Sequence, residues 1–166
     1  MIATIDPGIT GTGITIWKGR TRPRDNPIAC HEINYASKQT DWIKRGVHVV
    51  GLVQDYLSTY NITYVYCEYQ MAFEASAKGR AAQRRGDITK LTFFTGMLYY
   101  ELSEVNGIPF ELILPYVWMG QIPEIALRAR IVDKIGLDLY EELGVSKHTM
   151  DSVGIGLHLQ GRLTER

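Results

Sequence analysis

The run Ile62-Thr63-Tyr64-Val65-Tyr66-Cys67-Glu68 constrains this chain more than any other stretch of it. β-Branched and aromatic residues fit a pleated, buried surface, so the run reads as a central β-strand. It ends in an acid, and a carboxylate leaving such a strand is costly unless it is paired, hydrogen-bonded or bound to a metal. The chain opens on the same pattern, Ile2-Ala3-Thr4-Ile5-Asp6 followed by Pro7-Gly8. A third polar cluster, His148-Thr149-Met150-Asp151, lies far along the chain. Three distant segments that each offer hard oxygen or imidazole donors read as one cation site, which makes phosphodiester chemistry on nucleic acid the leading idea.

The remaining pattern supplies a scaffold for that site. Residues 1–6 and 12–17, joined by Pro7-Gly8-Ile9-Thr10-Gly11, predict an antiparallel hairpin, and 29–34 a third strand. Trp42, Ile43, Val47, Val50, Val53 and Leu57 recur at helical spacing, predicting a helix over 40–60. Helix and Glu68 strand then form a crossover that sets the latter parallel to the first strand. A helix is expected over 88–105, a fifth strand over 109–114, a helix from Pro123 to 135, and a last helix over 147–160 with Ser146 as its N-cap. The whole is an α/β chain expected to form a single domain over 1–166, with a five-stranded mixed sheet: three antiparallel strands first, then parallel additions, flanked by helices.

Bulk properties narrow the partners. Hydrophobic content of 45% and charged content of 22% are those of an ordinary globular protein, and the formal net charge is zero, so any nucleic acid must be engaged by local patches. The two cysteines, Cys30 and Cys67, have no metal-ligand spacing, and no apolar run approaches the ~20 residues needed to span a bilayer. The expectation is a soluble, cytoplasmic protein that makes no use of a membrane.

Asp6 and Glu68 end strands that the crossover makes neighbours, and His148 and Asp151, three apart, share a helix face. Four such ligands suit Mg²⁺ or Mn²⁺. Assembling several acids has a known use: two cations ~3.5–4 Å apart stabilise both the attacking and the leaving oxygen of an in-line displacement at phosphorus. Each residue also has a plainer reading. Asp6 could serve a strand-end turn, Glu68 could pair with a core cation, His148 could cap or sit on the surface, and Asp151 could favour a helix N-terminus. Gly154 and Gly156, each unfavourable in a helix interior, point to close packing of this helix over the sheet.

Ile5-Asp6-Pro7-Gly8-Ile9-Thr10-Gly11-Thr12-Gly13, Tyr66-Cys67-Glu68-Tyr69-Gln70 and His148-Thr149-Met150-Asp151-Ser152-Val153-Gly154-Ile155-Gly156 together resemble the RuvC-type Holliday junction resolvases, and the element order is similar to their RNase H-like fold. The resemblance implies that Asp6, Glu68, His148 and Asp151 are catalytic and hold two Mg²⁺ ions, with Mn²⁺ as a substitute. It implies a homodimer that nicks opposed strands of a four-way DNA junction, leaving 5′-phosphate and 3′-hydroxyl ends, without a nucleotide cofactor. Many members carry an acid at the position of His148; imidazole is softer and shifts preference towards Mn²⁺. Cellular members often place a wedge Phe three residues after the catalytic Glu, where this chain has Met71. Phe73 is open to two readings, the wedge on a differently shaped loop or ordinary packing. Leu114-Pro115-Tyr116-Val117-Trp118 is similar to a Pro-x-x-Trp stretch of phage-borne members, which implies a viral origin.

For the DNA itself, Lys78, Arg80, Arg84, Arg85 and Lys90 crowd the stretch after the Glu68 strand, placed to grip phosphates, while Gln70 and Gln83 are candidates for base contacts. A second basic group, Lys18, Arg20, Arg22 and Arg24, is the weaker candidate because its end of the sheet is expected to face away. The helix over 88–105 is apolar broadly enough to form core and, as the resemblance implies, a dimer seam. Rival classes are an actin-like ATPase, for which the chain has room for one lobe of the required two, an RNase H-like nuclease of flaps or RNA, and a non-catalytic junction-binding protein.

Overall fold

The computed structural model describes residues 1–8, 10–19, 25–35, 41–70, 85–120 and 122–163. Strand β1 (Ile2–Asp6) runs antiparallel to β2 (Gly11–Trp17), which is antiparallel to β3 (Pro27–Asn34). Strands β4 (Tyr64–Glu68) and β5 (Phe110–Ile113) add in parallel on the other side of β1, giving the order β3-β2-β1-β4-β5. This is the mixed sheet expected from the sequence, with the RNase H-like topology.

The boundaries differ in informative ways. Pro27 opens β3 opposite Trp17; lacking an N–H, it is tolerated because β3 is an edge strand. Thr63 lies outside β4, its N–H donating to the Met1 carbonyl at 2.7 Å. Asp41 caps helix α1 (Trp42–Ser58), its carboxylate accepting from the N–H groups of Ile43 and Lys44. The helix expected over 88–105 is two structures: α2 (Asp87–Tyr99) and a π-helical turn (Tyr100–Val105). Asn106 closes the wider turn, donating to the Glu101 carbonyl from both its backbone N–H (3.2 Å) and its side-chain amide (2.5 Å).

Beyond β5 come a one-turn helix α3 (Pro115–Trp118), α4 (Glu124–Ile135), α5 (Leu137–Glu142) and α6 (Lys147–Leu159). Neither α3 nor α5 was expected, being too short to carry a hydrophobic period. Ser146 does cap α6, in a reciprocal box with Thr149.

The sheet separates two cores, and the period-two alternation of side chains decides which residues meet which. Ala3, Ile5, Ile14, Ile16, Val65 and Cys67 pack with Val49, Val53, Phe94 and Leu98 of α1 and α2. On the other face Ile2, Trp17, Tyr66 and Ile113 pack with Leu127 and Ile131 of α4 and with Val153, Ile155 and Leu157 of α6. Asp6 lies two steps from Thr4 and Glu68 two from Tyr66, so both acids belong to the face that α6 covers. Cys30 and Cys67 are free thiols, Cys67 fully buried. No described helix is long and apolar enough to cross a membrane.

Candidate active site

The parallel ladder of β1 and β4 pairs Ile5 with Cys67, so the next residues, Asp6 and Glu68, leave the sheet side by side. Across the antiparallel side, Asp6 stands opposite Gly13, and Gly13 opposite Glu32 of β3. Asp6, Gly13 and Glu32 therefore form a row on one face, with no side chain in the middle.

Helix α6 enters through that gap. A Cβ built on Gly13 would stand 2.1 Å from the His148 carbonyl oxygen, and one on Gly11 would stand 2.6 Å from His148 Nε2. The N-terminal turn of α6 thus rests on bare backbone, and His148 comes within reach of Asp6: Nδ1 lies 3.2 Å from Asp6 Oδ2. Further along, a buried polar network fixes the helix on the sheet. Thr4 Oγ1 donates to the Ser152 carbonyl at 2.7 Å, Thr15 and Ser152 hydroxyls are 2.6 Å apart, and Trp17 Nε1 donates to Thr4 Oγ1 at 3.0 Å. Gly154 and Gly156 admit tryptophans: a Cβ on either would collide with Trp118 or Trp17 respectively. The close packing read from these two glycines is present, and the glycines of β2 make it possible from the other side.

Glu68 is 4% exposed. Its Oε2 accepts from Trp118 Nε1 at 2.8 Å, and its Oε1 from Gln70 Nε2 at 2.5 Å. Burial first, then the nearby charges of Asp6 and Asp151, push its pKa up to about 8 against the lowering effect of those two donors. Burial also raises the pKa of Asp6, although the hydrogen bond from His148 opposes it. His148 is raised chiefly by the same hydrogen bond, with further help from the charges of Asp6, Glu32 and Asp151. The contact thus favours a charged imidazole facing an ionised carboxylate, while burial of Asp6 works against that charge.

Among the described residues no three carboxylate, imidazole or thiol groups already stand together as a cation cage. The acids are turned on protein partners instead: Asp6 on His148, Glu68 on Trp118 and Gln70. The donor chemistry nevertheless fits a hard divalent cation, since it is carboxylate oxygen with one imidazole. Buried Glu68, whose ionisation is opposed by two neighbouring acids, is the kind of group whose charge a bound cation would stabilise.

The expected DNA-contacting residues divide. Gln70 is turned inward on Glu68. Arg85 and Lys90 flank Asp87 at the start of α2, at 2.8 and 3.7 Å, and Arg85 Nε hydrogen-bonds it, which lowers the Asp87 pKa. Phe73, Lys78, Arg80, Gln83 and Arg84 lie outside the described residues, as do Met71, Arg20, Arg22 and Arg24. Lys18 follows Trp17, which pairs with Ile2, and so stands at the end of the strands opposite to Asp6.

Three participants escaped the sequence reading. Trp118 sits in a segment noted only for its Pro-x-x-Trp pattern, and its role depends on the unforeseen turn α3. Glu32 could have been found by counting the β2–β3 register from Gly13 to the third strand. Gly13 itself was read as part of a motif without the close approach that requires it.

No protein-family model matches the sequence, and no curated protein matches it. Solved structures do match. Against Thermus thermophilus RuvC the TM-score is 0.67 at 18% identity, covering 98% of this chain and 96% of that one. The T. thermophilus RuvC structure in complex with a Holliday junction substrate gives 0.62 at 15% identity, covering 95% and 90%. The yeast mitochondrial Holliday junction resolvase Ydc2 gives 0.63 at 16% identity, covering 98% of this chain and 79% of that one. The chain shares the fold of these resolvases over nearly its whole length.

Proposed function

We propose that this protein is a Holliday junction resolvase, a metal-dependent endonuclease that nicks opposed strands of four-way DNA. The observation that carries the reading is the side-by-side exit of Asp6 and Glu68 from β1 and β4 beneath the helix that brings His148 to Asp6. The shared fold supports it, since one of the matched structures is of a resolvase in complex with a Holliday junction substrate.

In this reading Asp6, Glu68, His148 and Asp151 hold two divalent ions, Mg²⁺ with Mn²⁺ able to substitute. Ions bound there supply charge neutralisation at the phosphodiester and activation of a water for in-line attack. The chain's own residues do the rest. Glu68 is held in one orientation by Trp118 and Gln70, and His148 would have to give up its ring proton to serve as a ligand beside Asp6. In the same reading Arg85, Lys90 and the basic residues Lys78, Arg80 and Arg84 contact phosphates and Gln83 a base, while Phe73 keeps both readings, a wedge at the junction centre or ordinary packing. Hydrolysis joins the water oxygen to phosphorus and breaks the bond to the 3′ oxygen, leaving 5′-phosphate and 3′-hydroxyl ends.

The same reading makes the protein a homodimer acting in the cytoplasm. The dimer is supported by the apolar face shared by α1, α2 and the π-turn, where Val47, Phe93 and Tyr100 are exposed around a groove floored by Val50 and Met97 and Ile43 is exposed one turn before Val47. A two-fold axis through that face would make it self-complementary.

Strand-specific cleavage of a synthetic mobile four-way junction tests the proposal, with Mg²⁺, Mn²⁺ or chelator and with Asp6→Asn alongside. Paired nicks at symmetric positions, lost with chelator and in the variant, are expected. Cutting of flaps or RNA hybrids in place of junctions would overturn the substrate, and tight junction binding without cutting under either metal would overturn the enzyme.

A further inference from the structure

We propose that Trp118 is a positioning residue for Glu68: its indole N–H fixes the carboxylate in the orientation in which it takes a divalent cation. The inference rests on the metal-dependent reading above and adds a residue to it. Trp118 is 2% exposed, and its Nε1 stands 2.8 Å from Glu68 Oε2. An indole nitrogen can only donate, so Trp118 can never compete as a ligand. It occupies one lone pair of Oε2 as Gln70 Nε2 does of Oε1, which leaves each oxygen a second lone pair for a cation. A hydrogen bond to a carboxylate is also stronger than one to a backbone carbonyl, which makes the orientation well defined.

The local chain is built to deliver that indole. Glu68 pairs with Ile113 in the parallel β4–β5 ladder, and Tyr69 N–H donates to the Ile113 carbonyl at 2.9 Å. The chain then leaves β5 beside the point where Glu68 leaves β4. Pro115 starts a single helical turn, closed by Val117 N–H to the Leu114 carbonyl and by Met119 N–H to the Pro115 carbonyl, at 2.9 and 2.8 Å. That one turn swings the side chain of Trp118 back over Glu68. Its six-membered ring lies against Gly154 of α6, where an added Cβ would stand 2.5 Å from Cζ3. The indole is therefore located by the helix that carries Asp151, three residues before Gly154, and it holds the acid that ends β4.

The alternative is that Trp118 only fills the core and that its N–H takes the nearest acceptor. Mn²⁺ binding to the full-length protein separates the two, followed by electron paramagnetic resonance of free Mn²⁺ in the absence of DNA. Trp118→Phe keeps most of the ring volume and removes the donor. With an unchanged circular dichroism spectrum, it is expected to bind Mn²⁺ about 10–100-fold more weakly, as is usual when a partner behind a metal ligand is lost. The indole ¹H–¹⁵N resonance that disappears in this variant should shift saturably when Mg²⁺ is added to the wild type. Gly154→Ala retains the donor but displaces the ring, and should also weaken Mn²⁺ binding.

A folded Trp118→Phe protein with wild-type Mn²⁺ affinity overturns the proposal. Should Trp118→Phe not fold, Gly154→Ala decides: a displaced indole resonance with unchanged Mn²⁺ affinity overturns it equally. A wild-type protein that binds no Mn²⁺ would instead bring down the metal-dependent reading itself, and this inference with it.

Discussion

His148 Nδ1 lies 3.2 Å from Asp6 Oδ2, a contact between residues 142 positions apart in the chain. It raises the pKa of the imidazole, so the charged form is favoured in the folded state. The stabilisation is complete below the unfolded value near 6.5 and is lost as pH rises through the folded value. In metal-free protein the imidazole should therefore titrate above 6.5 by NMR, and Asp6→Asn should lower the midpoint. An unchanged midpoint would mean that the carboxylate does not govern this histidine.

Glu68 behaves in the same sense for a different reason. Its pKa is raised from 4.5 to about 8, chiefly by burial, so the folded state favours the protonated acid. Stability from this group is fully present below 4.5 and is lost as pH rises through about 8. Metal-free protein should be less stable at pH 9 than at pH 5, and Glu68→Gln should remove a share on the order of a few kcal/mol of that difference. Urea denaturation across this pH range measures it, and parallel curves for the two proteins would refute the assignment.

Gly13→Ala puts a methyl group 2.1 Å from the His148 carbonyl oxygen, with backbone on both sides of the clash. Overpacking of this kind costs about 1–3 kcal/mol. Because α6 must lift to accommodate it, junction nicking should fall by far more than the stability loss alone explains. Comparing denaturation midpoints with single-turnover cleavage by the folded fraction tests this; equal losses would make position 13 a matter of stability only.

The apolar face of α1 and α2 leads to a prediction about assembly. Val47→Glu combined with Tyr100→Glu places charges on two exposed positions, 58% and 63% accessible, and should leave the fold intact. Light scattering should then report a dimer for the wild type and a monomer for the double variant. Cleavage of the two opposed strands should lose its pairing, read as independent single nicks. A double variant that remains dimeric would place the interface elsewhere.

The fold was legible because its strands are written in local chemistry. The apolar runs before Asp6 and Glu68, the turn residues between β1 and β2, and the helical period of Trp42 to Leu57 each reflect forces acting within a few residues. Ser146 was legible for the same reason, as a cap whose partner is three residues away. What the sequence concealed depends on register and on contact over long separations. Glu32 joins the row of Asp6 and Gly13 only once three strands are aligned. Trp118 reaches Glu68 only through a one-turn helix, too short to show periodicity, that starts just after β5 ends beside β4. The π-turn was hidden because its apolar pattern is that of an ordinary helix, and Asn106 changes only the hydrogen bonding.

The span between Asp6 and His148 also has a consequence in time. A ribosome adding about 5–20 residues per second needs on the order of ten seconds to travel from one to the other. Throughout that interval the growing polypeptide has the acids of β1 and then β4, but neither His148 nor Asp151. Any nascent chain interrupted before α6 lacks half of the proposed ligand set and the helix that covers that face of the sheet, so on the proposed reading an aborted translation product would not cut.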